Sequence, residues 1–218
     1  WRMPAMFLRL FRPFLAIALL GMGVVGAAAQ DTRFASLTPT AIPDRLPEGR
    51  ATSAPIGFVR FCAGRPYECV PTGATLGAIH LSAQRRAELD QTNRAVNTAI
   101  APATDLEHYG ETERWTYPDD GRGDCEDYVL EKRRELLNEG WPASVLLITV
   151  VRDHNGDGHA VLTVVTDRGD LVLDNQEDAI LPWSETGYRF VKRQSQVDPG
   201  RWVSLGDTGV PPVVGAGR

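Results

Sequence analysis

Gly123-Asp124-Cys125-Glu126-Asp127-Tyr128 is an acidic run with a cysteine inside it, at the point where a loop becomes a helix. Upstream, Trp115-Thr116-Tyr117-Pro118-Asp119-Asp120-Gly121-Arg122 carries the Pro, Asp and Gly residues of turns. Downstream, residues 128–139 read as a helix with Asp124 as its cap, Asp127 in its first turn, and Gly140 and Pro142 at its end. Cys125 is then a first-turn residue. The free N–H groups and positive dipole end of a helix favour thiolate over thiol, so the position is expected to lower the cysteine pKa. A small apolar cysteine facing the core is the competing reading.

The N-terminal residues 1–29 read as a cleavable secretory signal. Arg2, Arg9 and Arg12 supply positive charge, residues 13–25 an apolar core, and Ala27-Ala28-Ala29 a small-residue cleavage site. The apolar run is short for a membrane span, so no stable membrane insertion is expected after cleavage. Removing residues 1–29 takes away three arginines and no acid, which moves the formal net charge from −5 to −8. Such an acidic chain does not fit a nucleic-acid binder. What remains is long enough for one domain with a proper core. Residues 30–54, rich in Pro, Thr, Ala and Ser, read as a flexible lead-in, residues 55–207 as the folded domain, and residues 208–218 as a disordered tail.

The chain has three cysteines. Cys62 and Cys69 flank a turn-rich loop and are natural disulfide partners in an oxidising compartment, with pairing of either to Cys125 as the alternative. Cys125 is otherwise left for an intermolecular bridge or as a thiol kept free for use. Residues 56–61 are expected as a short strand. Residues 82–101 are expected as a helix capped by Ser82, with Leu89, Thr92, Ala95, Val96, Ala99 and Ile100 on one side. Its 91–94 face reads as solvated, and Asn93 and Asn97 as surface polar residues. His80 and His108 read as surface histidines, His108 within a segment, 104–109, that is either a strand or a turn of helix.

Past residue 140 the periodicity changes. Residues 143–151 and 158–166 are nearly continuous apolar, β-branched runs, and residues 171–174 and 188–192 complete a set of strands separated by polar turns at 153–158 and 167–170. Helices followed by antiparallel strands make an α+β fold. Asp153, Asn155, Asp157 and Gly158 match the opening of an EF-hand calcium loop. Position twelve is Val164 in place of a glutamate, so the segment reads as a hairpin turn.

His159 starts the second of these strands and Asp174 ends the third. A helix-start cysteine, a strand-start histidine and a strand-end aspartate fit a nucleophile, its base and the group that orients the base. If Arg168 and Gly169 form the hairpin turn, Asp174 lies opposite Thr163, on the face of His159 but about 13 Å from it along the strand. Twist, a bulge or a different loop must close that gap. The Cys125 backbone N–H is the default oxyanion donor, and Trp115 or Tyr117 is the candidate for a second.

Trp115-Thr116-Tyr117-Pro118, Gly123-Asp124-Cys125-Glu126-Asp127-Tyr128, Gly158-His159-Ala160-Val161-Leu162 and Leu173-Asp174-Asn175 together resemble the bacterial transglutaminase-like cysteine proteinases, among which the LapG-type periplasmic proteases are best understood. The resemblance implies a papain-like, transglutaminase-like α+β fold and a Cys-His-Asp triad at Cys125, His159 and Asp174. It also implies a periplasmic protease acting on a protein substrate, such as a large surface adhesin in biofilm control, under an inner-membrane receptor for cyclic di-GMP. LapG-type members bind calcium beside the nucleophile, which by position implicates Asp124, Glu126 and Asp127, although helix capping and dipole compensation account for the same carboxylates. No cofactor is required for the chemistry itself. Two other readings remain open: a transglutaminase or amide-transfer enzyme using the same triad, and a non-catalytic calcium-binding module on the same fold.

Overall fold

The computed structural model describes residues 44–71 and 74–206; the expected signal segment and the 208–218 tail lie outside them. In chain order the elements are β1 (Ala51–Thr52), α1 (Ile56–Gly64), α2 (Ala83–Ala99), β2 (Ala101–Pro102), α3 (Asp105–Tyr109), β3 (Arg122–Gly123), α4 (Cys125–Asn138), β4 (Leu146–Arg152), β5 (Gly158–Thr166), β6 (Gly169–Leu173), β7 (Leu181–Pro182), β8 (Arg189–Gln194) and β9 (Trp202–Ser204). Among the described residues, seven strands form one sheet in the order β1-β9-β8-β4-β5-β6-β7, with every neighbouring pair antiparallel. Helices preceding an antiparallel sheet give the expected α+β arrangement.

The central strand β5 is buried along its whole length. Its Ala160, Leu162 and Val164 join Val129, Leu130 and Leu136 of α4, Phe58 of α1 and Trp202 of β9 in the main core. Val161 joins a smaller cluster with Leu46, Val151, Val172, Phe190 and Leu205. Cover on both faces explains why β5 reads as a continuous apolar run and not as an alternating one.

Several local expectations change. Residues 56–61 are helical, not extended: α1 buries Phe58 and Phe61 one turn apart, and a short apolar run cannot be assigned by periodicity alone. The ring of Phe58 meets Trp115 and Trp202 edge-on at 5.7 and 5.3 Å. Residues 44–54 are part of the domain and not a mobile lead-in. There Leu46 is buried, Ala51 and Thr52 pair with Val203 and Trp202, and Asp44 bridges to Gly169. Segment 104–109 is helical, with a reciprocal capping box between Thr104 and Glu107. Cys62 and Cys69 form a disulfide with a Cα–Cα separation of 5.8 Å, and Cys125 is a free thiol.

Helix α2 departs most from its sequence reading. Ser82 caps it as expected, accepting from the Arg85 N–H, but the buried side carries Thr92 and Asn93 while Ala95 and Ala99 are exposed. Asn93 is fully buried and donates to the carbonyls of Glu177 and Asp178, both at 3.1 Å. Asn97, one turn on, donates to the Asp174 carbonyl and to Asp178 Oδ1, both at 2.9 Å. Two amides thus clamp the turn that follows β6. Replacing Asn93 by alanine strands two carbonyls, so urea unfolding of Asn93→Ala should show a loss of about 1–3 kcal/mol, whereas Thr98→Ala on the exposed side of α2 should stay within about 0.5 kcal/mol of the parent.

Candidate active site

Cys125 is the first residue of α4, and Asp124 holds the N-cap position with extended backbone. Asp124 does not cap the helix with its side chain: its Oδ2 instead accepts from the Asp105 N–H at 3.3 Å. The reason is the short parallel pairing of β2 with β3, which carries the chain leaving α2 past the strand that leads into Cys125. The capping box then sets Asp105 in the first turn of α3, beside Asp124. Gly123 is required here because a Cβ at that position would lie 2.7 Å from the Asp127 side chain.

Asp105, Asp124 and Glu126 present carboxylate oxygens that all lie within 4.8 Å of one another. Asp127, expected as a ligand, turns one oxygen to the Thr116 N–H at 2.8 Å. Asp105, missing from the sequence expectation, takes the third place, and its one sequence signal is the Thr104-x-x-Glu107 capping box. Buried oxygens on all four carboxylates, Asp105 Oδ1, Asp124 Oδ1, Glu126 Oε1 and Asp127 Oδ2, find no hydrogen-bond partner. Unpaired buried carboxylate oxygens are costly, and a cluster of hard oxygen donors is what calcium requires. This donor set fits a divalent cation.

Without a cation, burial raises the carboxyls of the cluster toward protonation. Burial, with charge from Asp105 and Glu113, pushes Asp124 up to about 7. Burial, then Asp124 and Asp105, pushes Asp127 up to about 8 despite the Thr116 N–H. Glu126, fully buried, is raised well above the usual carboxylate range by burial and then by Asp124.

The thiol shares this environment. Cys125 is 7% exposed, and its S–H donates to Glu126 Oε2 at 3.3 Å. Burial first, then the charges of Glu126 and Asp124, push its pKa well above that of an ordinary thiol, while an N–H from Ala160 pulls the other way. The sequence reading expected the opposite sign. Desolvation and adjacent carboxylates outweigh the helix dipole, which is worth only about 0.3–1 kcal/mol.

The Ala160 N–H that reaches the sulfur belongs to the residue after His159, so the start of β5 is set against the start of α4. His159 is buried and its Nε2 meets Asp174 Oδ1 at 2.8 Å. The gap foreseen along the sheet is closed by the hairpin: Asp167 and Arg168 form its turn, with Thr166 opposite Gly169 and Leu162 opposite Leu173. Asp174 therefore follows β6 two residues from His159, not four. Burial raises the Asp174 carboxyl, but the hydrogen bond and charge of His159, with the Tyr188 hydroxyl and Gln176 N–H, outweigh it and leave the pKa below its ordinary value.

Other expected residues lie elsewhere. The Trp115 indole N–H donates to Glu113 Oε1 at 3.0 Å, and the Tyr117 hydroxyl donates to Glu68 in the disulfide loop, so both side-chain donors are already committed. The Cys125 N–H, at the first position of α4, stands outside the helix's own ladder and remains the oxyanion candidate. Asp153 Oδ1 accepts from the N–H groups of Asn155 and Asp157 at 2.9 Å, which makes this segment a tight turn. His80 pairs with Asp167 at the surface, and His108 pairs with Asp120. Sequence reasoning missed Lys132, two turns beyond Cys125. It is fully buried, its Nζ has no hydrogen-bond partner among the described residues, and burial brings its pKa down to about 7 against the pull of Asp174 and Asp178.

The model of the family described as bacterial transglutaminase-like cysteine proteinase BTLCP matches residues 48–210. Among solved structures, calcium-bound LapG of Legionella pneumophila is 25% identical, with 58% of this chain and 74% of that chain covered and a TM-score of 0.48. A second Legionella pneumophila LapG structure is 27% identical over 56% of this chain and 71% of that one, with a TM-score of 0.47. An EGTA-treated form is 25% identical over 56% and 68%, with a TM-score of 0.45. No curated protein matches the chain. With a family model spanning some three quarters of its length, and with helices packed on an antiparallel sheet, the chain belongs to the bacterial transglutaminase-like cysteine proteinases and is a cysteine peptidase.

Proposed function

We propose that the protein is an exported endopeptidase in which Cys125 is the nucleophile, His159 its base and Asp174 the group that orients the base. The observation that carries this reading is the buried His159 Nε2 to Asp174 Oδ1 bond at 2.8 Å beside a helix-start cysteine tied to Ala160. Because Asp174 holds Nε2, Nδ1 is the nitrogen that takes the Cys125 proton. The thiolate attacks a peptide carbonyl, the Cys125 N–H donates to the oxyanion, and His159 returns the proton to the leaving amine. Water then hydrolyses the thioester, with His159 again accepting a proton.

Asp105, Asp124 and Glu126 would hold calcium. When bound, the ion neutralises the carboxylates that keep the Cys125 thiol protonated. The Legionella LapG structures include calcium-bound and EGTA-treated forms, which supports the choice of ion. The signal-like residues 1–29 and the Cys62–Cys69 disulfide favour the periplasm as the site of action. A large surface adhesin as substrate and an inner-membrane cyclic di-GMP receptor as regulator follow from the family resemblance.

Two outcomes are expected. Incubation with a surface-protein fraction should generate new N-termini that vanish with Cys125→Ala and fall at least about 100-fold with His159→Ala. Incorporation of an added amine without new N-termini would replace hydrolysis by amide transfer. Calcium should also stabilise the fold in a pH-dependent way. The raised carboxyls contribute stability below their unfolded values and lose it as pH rises through about 7 for Asp124 and about 8 for Asp127. Calcium at a hundred times its Kd should restore about 2.7 kcal/mol at pH 8, and much less at pH 5 where protons compete for the same oxygens. An equal thermal shift at both pH values would remove Asp105, Asp124 and Glu126 as the ligands.

A further inference from the structure

Asp174 is held on more sides than its role toward His159 requires. Oδ1 accepts from His159 Nε2 at 2.8 Å and from the Gln176 N–H at 3.0 Å, while Oδ2 accepts from the Tyr188 hydroxyl at 2.6 Å. The Tyr188 ring also stands edge-on to the His159 ring, with centroids 5.8 Å apart and planes at 76°. One side chain from the turn before β8 therefore touches both members of the pair. Burial and then the Asp174 charge push the Tyr188 phenol well above its usual pKa, so it remains a donor across the working range.

The turn carrying Tyr188 is built for that aim. Thr186 Oγ1 donates to the Trp183 carbonyl at 2.9 Å and accepts from the Tyr188 N–H at 3.3 Å. Gly187 has φ +69°, and a Cβ there would lie 2.9 Å from the His154 ring. His154 in turn packs against Tyr188 at 5.0 Å between centroids. The β4–β5 hairpin loop thus packs on the ring that the turn before β8 carries.

We propose that Tyr188 is a positioning residue for the peptidase reaction: its hydroxyl fixes the rotation of the Asp174 carboxylate, and through it the tautomer and orientation of the His159 imidazole. The inference rests on the Cys125, His159, Asp174 reading above. A carboxylate pinned at one oxygen can swing about its Cα–Cβ and Cβ–Cγ bonds. Pinned at both oxygens, it presents one lone pair to Nε2 and holds the imidazole in one orientation. The ring edge further excludes water from the His159 to Asp174 bond, which preserves its strength.

The test is a double-mutant cycle on the calcium-loaded protein, read as the rate of Cys125 alkylation by iodoacetamide at pH 7. Tyr188→Phe keeps the ring and should slow alkylation about ten-fold, the size expected for one hydrogen bond to a charged group. In an Asp174→Asn background the same change should cost nothing further, because Tyr188 acts only through Asp174. Additive losses, or a Tyr188→Phe rate equal to the parent, overturn the proposal. Difluorotyrosine incorporated at position 188 changes donor strength while leaving the packing in place. It should move the ring N–H proton resonance of His159 in the nuclear magnetic resonance spectrum, and an unmoved resonance overturns the proposal independently of the variants. If parental alkylation is itself indifferent to His159→Ala, the triad reading falls and takes this proposal with it.

Discussion

Buried negative charge at the start of α4 is the constraint around which the site is arranged. Asp105, Asp124, Glu126 and Asp127 are each less than 10% exposed, and each keeps an oxygen without a partner. Carboxylates in such a place must be protonated or must share a cation, and the two conditions have opposite consequences for the neighbouring sulfur. With protons, burial and residual charge hold Cys125 as a thiol hydrogen-bonded to Glu126. With a cation, oxygens of Asp105, Asp124 and Glu126 would become ligands and the helix terminus would recover its usual preference for an anion. The β2–β3 pairing, the α3 capping box and the bare Cα of Gly123 all serve to bring these carboxylates together.

The second half of the site depends on the sheet. β5 supplies His159 at one end and is sealed on both faces, so its position is fixed by the main core. Asp174 lies just past β6, where no ladder bonds hold it, and its support comes from outside the sheet. Asn93 and Asn97 reach across from α2, and Tyr188 comes from the turn before β8. The acid and the turn after it are thus held by two elements distant in sequence, while cysteine and histidine are set by the ends of one helix and one strand.

This division explains what could be read in advance. Features fixed by local chemistry were legible: α4 starting at the acidic run, α2 capped by Ser82, the long apolar strands, and the Cys62–Cys69 pair. Features fixed at a distance were not. Asn93 and Asn97 look like solvated residues on a helix whose polar face is otherwise ordinary, and only the later 174–178 turn makes them donors to a buried or half-buried contact. Asp105 lies 19 residues before Asp124 in another helix, with no spacing to link them. The β5–β6 register differed by one residue in the turn, which halves the distance from His159 to Asp174 along the strand. The expected direction of the Cys125 pKa failed because the helix terminus was visible in sequence while the burial of its carboxylates was not.

The most direct test is the apparent pKa of Cys125, taken from the pH dependence of its alkylation with saturating calcium and with a chelator. Cys125 should titrate well above about 8.5 in the chelated protein and below it once calcium is bound. The same apparent pKa in both conditions would overturn this, since the buried carboxylates would then have no hold over the Cys125 sulfur.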